Sequence, residues 1–216
     1  MSLIYTAMSI EIFKRNENPF NQSYEDHVKN YWKFICQLPK DKNPAIDNDG
    51  QKDEIANQNS NAPFFYLNFS KDGGSLVERK CRVPSGKGVF IPVMGVEVSE
   101  KEVQNSSVDK LKKIAKKDQD SVKDDLSLRL DGNEVNNLHS FRVPTDAFEL
   151  NFPENALFDV SPGTSQAVAD GFYIITKPLS PGTHTIEFKG SLENDDTENS
   201  LEPNYSVNVK YTLEVQ

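Results

Sequence analysis

Cysteine is scarce in this chain: Cys36 and Cys81 are the only two among 216 residues. They form no CxxC pair and fall short of a Cys-rich zinc set. Two separate buried thiols, a disulfide, and a reactive or metal-binding thiol all remain open. A catalytic redox pair is not expected, because nothing in the spacing holds a resolving thiol beside a nucleophilic one. Histidine is nearly as rare. His27, His139 and His184 are widely separated, with no HExxH or short-spaced pair, so metal ligands are left unknown. Long apolar runs are also missing, and none approaches the roughly 20 residues of a membrane-spanning helix. The opening MSLIYTAMSIEIF shows no basic region or cleavage pattern of a secretory signal. A secreted or extracytoplasmic location therefore requires a leader outside this sequence, and a cytoplasmic one stays open.

Positive charge is in deficit: 24 Lys and Arg against 33 Asp and Glu give a net charge of -9. That balance argues against a broad nucleic-acid-binding surface, which needs concentrated cations. The densest basic run, Lys110–Lys117, is surrounded by Asp109, Asp118, Asp120, Asp124 and Asp125 and reads as a solvated helix face. No cofactor signature is present. Ser85–Gly88 (SGKG) lacks Walker A spacing and reads as a tight turn with Lys87 exposed, and no GxSxG elbow exists.

What is present is the grammar of one β-rich domain over residues 1–216, with a helical N-terminal extension, 1–62, packed on it. A chain this long buries roughly 70% of its extended surface. Ser23 followed by Asp26 predicts a helix start. Val28, Tyr31, Trp32 and Ile35 then share one face, and Pro39 marks the end. Residues 40–62 read as a polar connection. Its Asp47–Gly50 turn (DNDG) misses EF-hand spacing, since Ala45 and Ala56 would occupy ligand positions, leaving a solvated turn or an irregular calcium loop. The fold is expected to require no divalent metal.

Strands are expected over Phe64–Phe69, Leu76–Val83 and Lys87–Val98, with Pro92 marking an edge, bulge or strand end. A peripheral helix follows over about 107–117, then strands near 126–130, 139–143, 147–152, 167–176, 183–190 and 205–215. The Pro178–Gly182 turn reads as a hairpin between two of these, and Ser191–Pro203 as a mobile acidic loop. In the last strand Tyr205, Val207, Val209, Tyr211, Leu213 and Val215 alternate with polar residues. Short strands with few helices predict a mainly β fold, an antiparallel two-sheet β-sandwich of jelly-roll or immunoglobulin-like order.

The stretch VERKCRVPSGKGVFIPV, Val77–Val93, resembles a family of uncharacterised bacterial and archaeal proteins, many of them secreted. Tyr31–Gly50 and Ala169–Gly190 are similar to the same family. The resemblance implies a shared domain and an extracytoplasmic setting, and no enzyme chemistry. It also implies a cysteine soon after the D-x-x-G turn, paired with the one matching Cys81. Here Gln51, Lys52 and Asp53 follow Gly50, so that partner is missing, and Cys81 either pairs with Cys36 or stays free.

Catalytic residues are not identified by pattern. Nominees are His184 with a carboxylate and a serine, and acid pairs drawn from Glu97 with Glu100 or Asp170 with Glu187. Asn21, Asn68, Asn105 and Asn204 head glycan-acceptor triplets. The leading expectation is a noncatalytic extracytoplasmic binding or structural domain with a protein or carbohydrate ligand. The alternative is a hydrolase, glycan-directed, with an acid/His site assembled from loops.

Overall fold

The computed structural model describes residues 9–71, 73–196, 198, 200, 201 and 203–216. Helix α1 (Tyr24–Cys36) begins where the capping pattern places it: the Asp26 amide donates to Ser23 Oγ at 3.1 Å, and that hydroxyl donates to the Asp26 carboxylate at 2.7 Å. Val28, Tyr31, Trp32 and Ile35 are all buried.

The segment expected to be a polar connection holds a second helix, α2 (Gln51–Gln58). Its sequence, QKDEIANQ, has no apolar stripe, and Ile55 is exposed, so periodicity could not reveal it. The turn before it does the work instead. Asp47 Oδ2 accepts the Lys52 and Asp53 amides at 2.7 and 3.3 Å, and Asp49 Oδ1 accepts the Gln51 amide at 3.0 Å. Carboxylates read as calcium candidates thus satisfy the first-turn donors of a helix. Gly50 has φ +97°, and a Cβ there would lie 2.6 Å from the Lys80 carbonyl and 2.8 Å from Cys81 Sγ.

The described residues form nine strands: β1 (Phe64–Tyr66), β2 (Val77–Val83), β3 (Gly88–Ser99), β4 (Ser127–Leu130), β5 (Asn133–Glu134), β6 (Phe148–Phe152), β7 (Gly163–Ile175), β8 (Gly182–Glu193) and β9 (Asn204–Val215). They make two sheets, ordered β1-β3-β7-β6 and β2-β9-β8-β4-β5. The expected antiparallel order fails at two places, because β1 pairs parallel with β3 and β2 parallel with β9. Neither pair is joined by a hairpin. The chain visits the other sheet between β1 and β3, and most of the sequence separates β2 from β9.

The Pro178–Gly182 turn is not a hairpin either. It carries the chain from β7 in one sheet to β8 in the other. The long hairpin is β8 with β9, in register from Gly182↔Val215 to Glu193↔Asn204, and the buried alternation of β9 follows the sequence pattern. Pro92 lies inside β3, an interior strand, where a register shift between Pro92 and Met94 accommodates its missing donor. Residues 139–143, expected as a strand, largely form the short 3-10 helix Leu138–Phe141.

Both sheets and α1 feed one hydrophobic cluster. A smaller one lies beneath helix α3 (Val108–Asp120), where Leu111, Ile114 and Ala115 meet Val96 and Val98 of β3 and Val168 of β7. Helix α3 outruns its expected end because buried Asp118 serves as an anchor. Its carboxylate accepts from Asn194 Nδ2, the Ser200 hydroxyl and the Leu201 amide, fastening part of the acidic loop. Lys87 is half-buried rather than exposed, donating to the Ala62 carbonyl at 3.0 Å.

Cys36 and Cys81 are free and buried. Cys36 Sγ faces Glu97 Oε2 at 3.9 Å, while Cys81 Sγ faces the Gly50 carbonyl at 3.4 Å, so each thiol has its own environment. Burial pushes both thiol pKa values above the usual range, with nearby carboxylates adding to the effect. Neither thiol should therefore react with a thiol-specific disulfide reagent in the folded protein, and two should react after unfolding. Nonreducing peptide mapping that recovers a Cys36–Cys81 peptide, or fast native-state labelling, would contradict this.

Candidate functional site

Glu97 is the most anomalous residue of β3. Its neighbours Val96 and Val98 turn toward α3, so strand alternation sends Glu97 to the opposite face, between the two sheets. Only 3% of it is exposed. Immediately after the strand, Glu102 returns toward the same place. The Ser99 amide and hydroxyl both donate to Glu102 Oε2, at 2.9 and 2.6 Å, and the turn brings the Glu102 carboxyl to the same pocket as Glu97.

Burial raises the Glu97 pKa well above the carboxylate range, and the charge and shared hydrogen bond of Glu102 raise it further. Ser99 pulls the other way more weakly. Burial and the neighbouring carboxyl thus both favour the protonated form of Glu97. Glu97 Oε2 faces the weak Cys36 thiol donor, and Glu97 Oε1 is buried with no hydrogen-bond partner.

The dyad lines a pocket of about 50 Å³ where α1, β3, β8 and β9 converge. Trp32, Phe69, Phe158 and Tyr205 form its aromatic walls. Trp32 is set by its indole N–H, which donates to Tyr173 Oη at 2.9 Å. That bond needs bare backbone beside it. Gly95 and Gly171 face each other across β3 and β7, and a Cβ on Gly171 would lie 2.5 Å from Gly95 Cα and 2.9 Å from Tyr173 Oη. Lys71 stands on the wall, but its ammonium donates to the Leu157 carbonyl at 2.5 Å and lies 3.8 Å from Asp159.

No family model, curated protein or solved structure matches this chain.

Of the nominated acids, Glu97 belongs to the pocket and Glu100 does not, since Glu100 is exposed on the turn while Glu102 supplies the second carboxyl. Sequence spacing gave no reason to prefer Glu102. The usable signal was Glu97 itself, an acid inside the apolar run GVFIPVMGVEVS. Asp170 and Glu187 are not brought together. Asp170 is buried in a bidentate pair with Arg142, at 3.0 and 2.7 Å, and Glu187 faces Lys210 at 3.5 Å on the other sheet.

His184 does meet an acid and a serine. Its Nδ1 is 2.7 Å from Asp131 Oδ2, and Nε2 is 3.3 Å from Ser180 Oγ. Nε2 is nearer still to the Ser180 main-chain carbonyl, at 2.8 Å, so the nitrogen a catalytic base must keep available is engaged with backbone. The buried ring ties the turn before β8 to the β4–β5 turn. His27 is buried with Nε2 2.7 Å from the Pro19 carbonyl, and His139 lies against Phe172. Among the described residues no group of three or more His, Cys, Asp and Glu could hold a metal ion. Likewise, none of their helices is long and apolar enough to cross a membrane.

Of the glycan-acceptor triplets, Asn68 is sequestered. Its amide donates to Asp53 at 2.7 Å inside the core, whereas Asn21, Asn105 and Asn204 are exposed.

Proposed function

We propose that this protein is a noncatalytic extracytoplasmic binding domain, a β-sandwich of mixed strand direction that seats one end of a protein or carbohydrate ligand in the Glu97–Glu102 pocket. The small volume of this pocket carries the reading. Typical substrate pockets run to about 300–1,000 Å³, whereas this one, at about 50 Å³, takes an end group rather than a sugar ring. Both sheets sharing one core supports the sandwich. The resemblance of Val77–Val93 to often secreted proteins supports the extracytoplasmic setting.

The test pairs two measurements on the intact protein. Ligand engagement should change the emission of Trp32, the only tryptophan in the chain, which lies on the pocket wall. Chromogenic glycosides, esters and peptides should show no turnover that Glu97→Gln, Glu102→Gln or His184→Gln removes. Turnover abolished by any of these in a still-folded variant would establish the hydrolase instead.

A further inference from the structure

We propose that the end group recognised by this pocket is a primary ammonium, carried by a lysine side chain or a small alkylamine. The inference rests on the binding reading above and adds the chemistry of the guest.

The donor inventory points to a cation. Glu102 Oε2 has two donors from Ser99, whereas Glu97 Oε1 has no partner, although Glu97 is 97% buried. A buried acceptor without a donor is costly. An ammonium brings three donors and no acceptor, and its charge offsets the cost of ionising the buried Glu97 carboxyl.

Size and walls agree with this guest. A void needs about 10–15 Å³ per water, so about 50 Å³ admits a few small heavy atoms. Trp32, Phe69 and Phe158 add ring surface of the kind that attracts desolvated cations. The protein's own ammonium at the wall, Lys71, is held by the Leu157 carbonyl and faces Asp159. A quaternary ammonium would satisfy the rings and leave Glu97 Oε1 without a donor. Calcium would find two carboxylates where it takes six to eight oxygens.

Methylammonium, Nα-acetyl-lysine N-methylamide and tetramethylammonium, titrated at constant ionic strength with Trp32 emission and calorimetry as readouts, test the proposal. Saturable methylammonium binding at millimolar concentration is expected, with tetramethylammonium weaker by about tenfold or more. Equal or tighter binding of the blocked lysine identifies a lysine side chain as the source, and its exclusion identifies a free small amine. Glu97→Gln, which keeps the shape, should weaken binding at least about tenfold with thermal unfolding as its folding control. Glu102→Gln serves the same purpose if Glu97→Gln does not fold. Absence of saturable methylammonium binding, or binding unchanged in a folded variant, overturns the assignment. If neutral acetamide or methanol shifts Trp32 emission and the amines do not, the ammonium fails while the binding domain stands. Turnover dependent on Glu97 would remove the binding reading itself.

Discussion

Replacing Arg79 by methionine should destabilise the protein by about 3–5 kcal/mol, the cost of breaking a buried ion pair from one side. The Arg79 side chain is fully buried, as is that of Asp53, whose Oδ2 lies 3.7 Å from Arg79 Nε. The guanidinium donates to the carbonyls of Asp47, Asn68 and Phe69 at 2.9, 2.7 and 3.2 Å and to Tyr211 Oη at 2.6 Å. It thus joins β2, β9, the residues after β1 and the turn that starts α2. Methionine fills similar space but leaves those acceptors without the guanidinium donor and the Asp53 carboxyl without its counter-charge. Urea unfolding is the direct measurement, and a loss under about 1 kcal/mol would show that the network contributes no more than an ordinary hydrogen bond.

Asp53 adds a pH signature to the same network. Burial pushes its pKa from 3.8 up to about 7, although Arg79, Asn68 and Tyr211 draw it back. A folded-state value above the unfolded one means that its contribution is full below about pH 4 and disappears as pH rises through about 7. Relative to Asp53→Asn, the parent should lose stability across that window, by at most roughly 4 kcal/mol at 1.36 kcal/mol per unit. A parent–variant difference that stays flat from pH 4 to 7.5 would contradict the raised value.

Trp32→Ala should cost about 3–5 kcal/mol, the range for truncating a buried aromatic in a packed core. Trp32 is 2% exposed, lies 5.4 Å from Tyr31 and 5.9 Å from Phe69 between ring centroids, and places its N–H on Tyr173. Tyr173→Phe removes that acceptor while keeping both rings, and should cost about 1–3 kcal/mol for the orphaned donor. Parent fluorescence should be that of an apolar environment and shift red on unfolding. Equilibrium unfolding with Trp32→Ala near parental stability, or solvent-like emission from the native protein, would remove Trp32 from the seam.

The sequence carried local structure well wherever one face met water. Helix α1 was visible through its cap and its Val28–Ile35 stripe, and β9 through strict alternation, because a buried face imposes a period of 3.6 or 2 on the chain. Helix α2 was invisible because its start comes from Asp47 and Asp49 and its few apolar residues form no stripe. Alternation leaves Arg79 undecided. In VERKCRV the inward positions are Arg79, Cys81 and Val83, and a buried arginine reads as an outward one until its acceptors are known.

By itself, then, the sequence determined a mainly β chain with a capped amphipathic first helix, an acidic surface and two cysteines outside any redox motif. Each follows from composition or from neighbours a few residues away. Only the tertiary structure decided that the Pro178–Gly182 turn crosses between sheets, that β1 pairs parallel with β3 and β2 with β9, and that Glu97 shares a pocket with Glu102 rather than Glu100. It also decided that His184 is held by a main-chain carbonyl. Those outcomes depend on which strands lie side by side and on which face each acid is sealed from water. A carboxyl's proton, like a histidine's free nitrogen, is set by the groups packed against it, and most of those come from elsewhere in the chain.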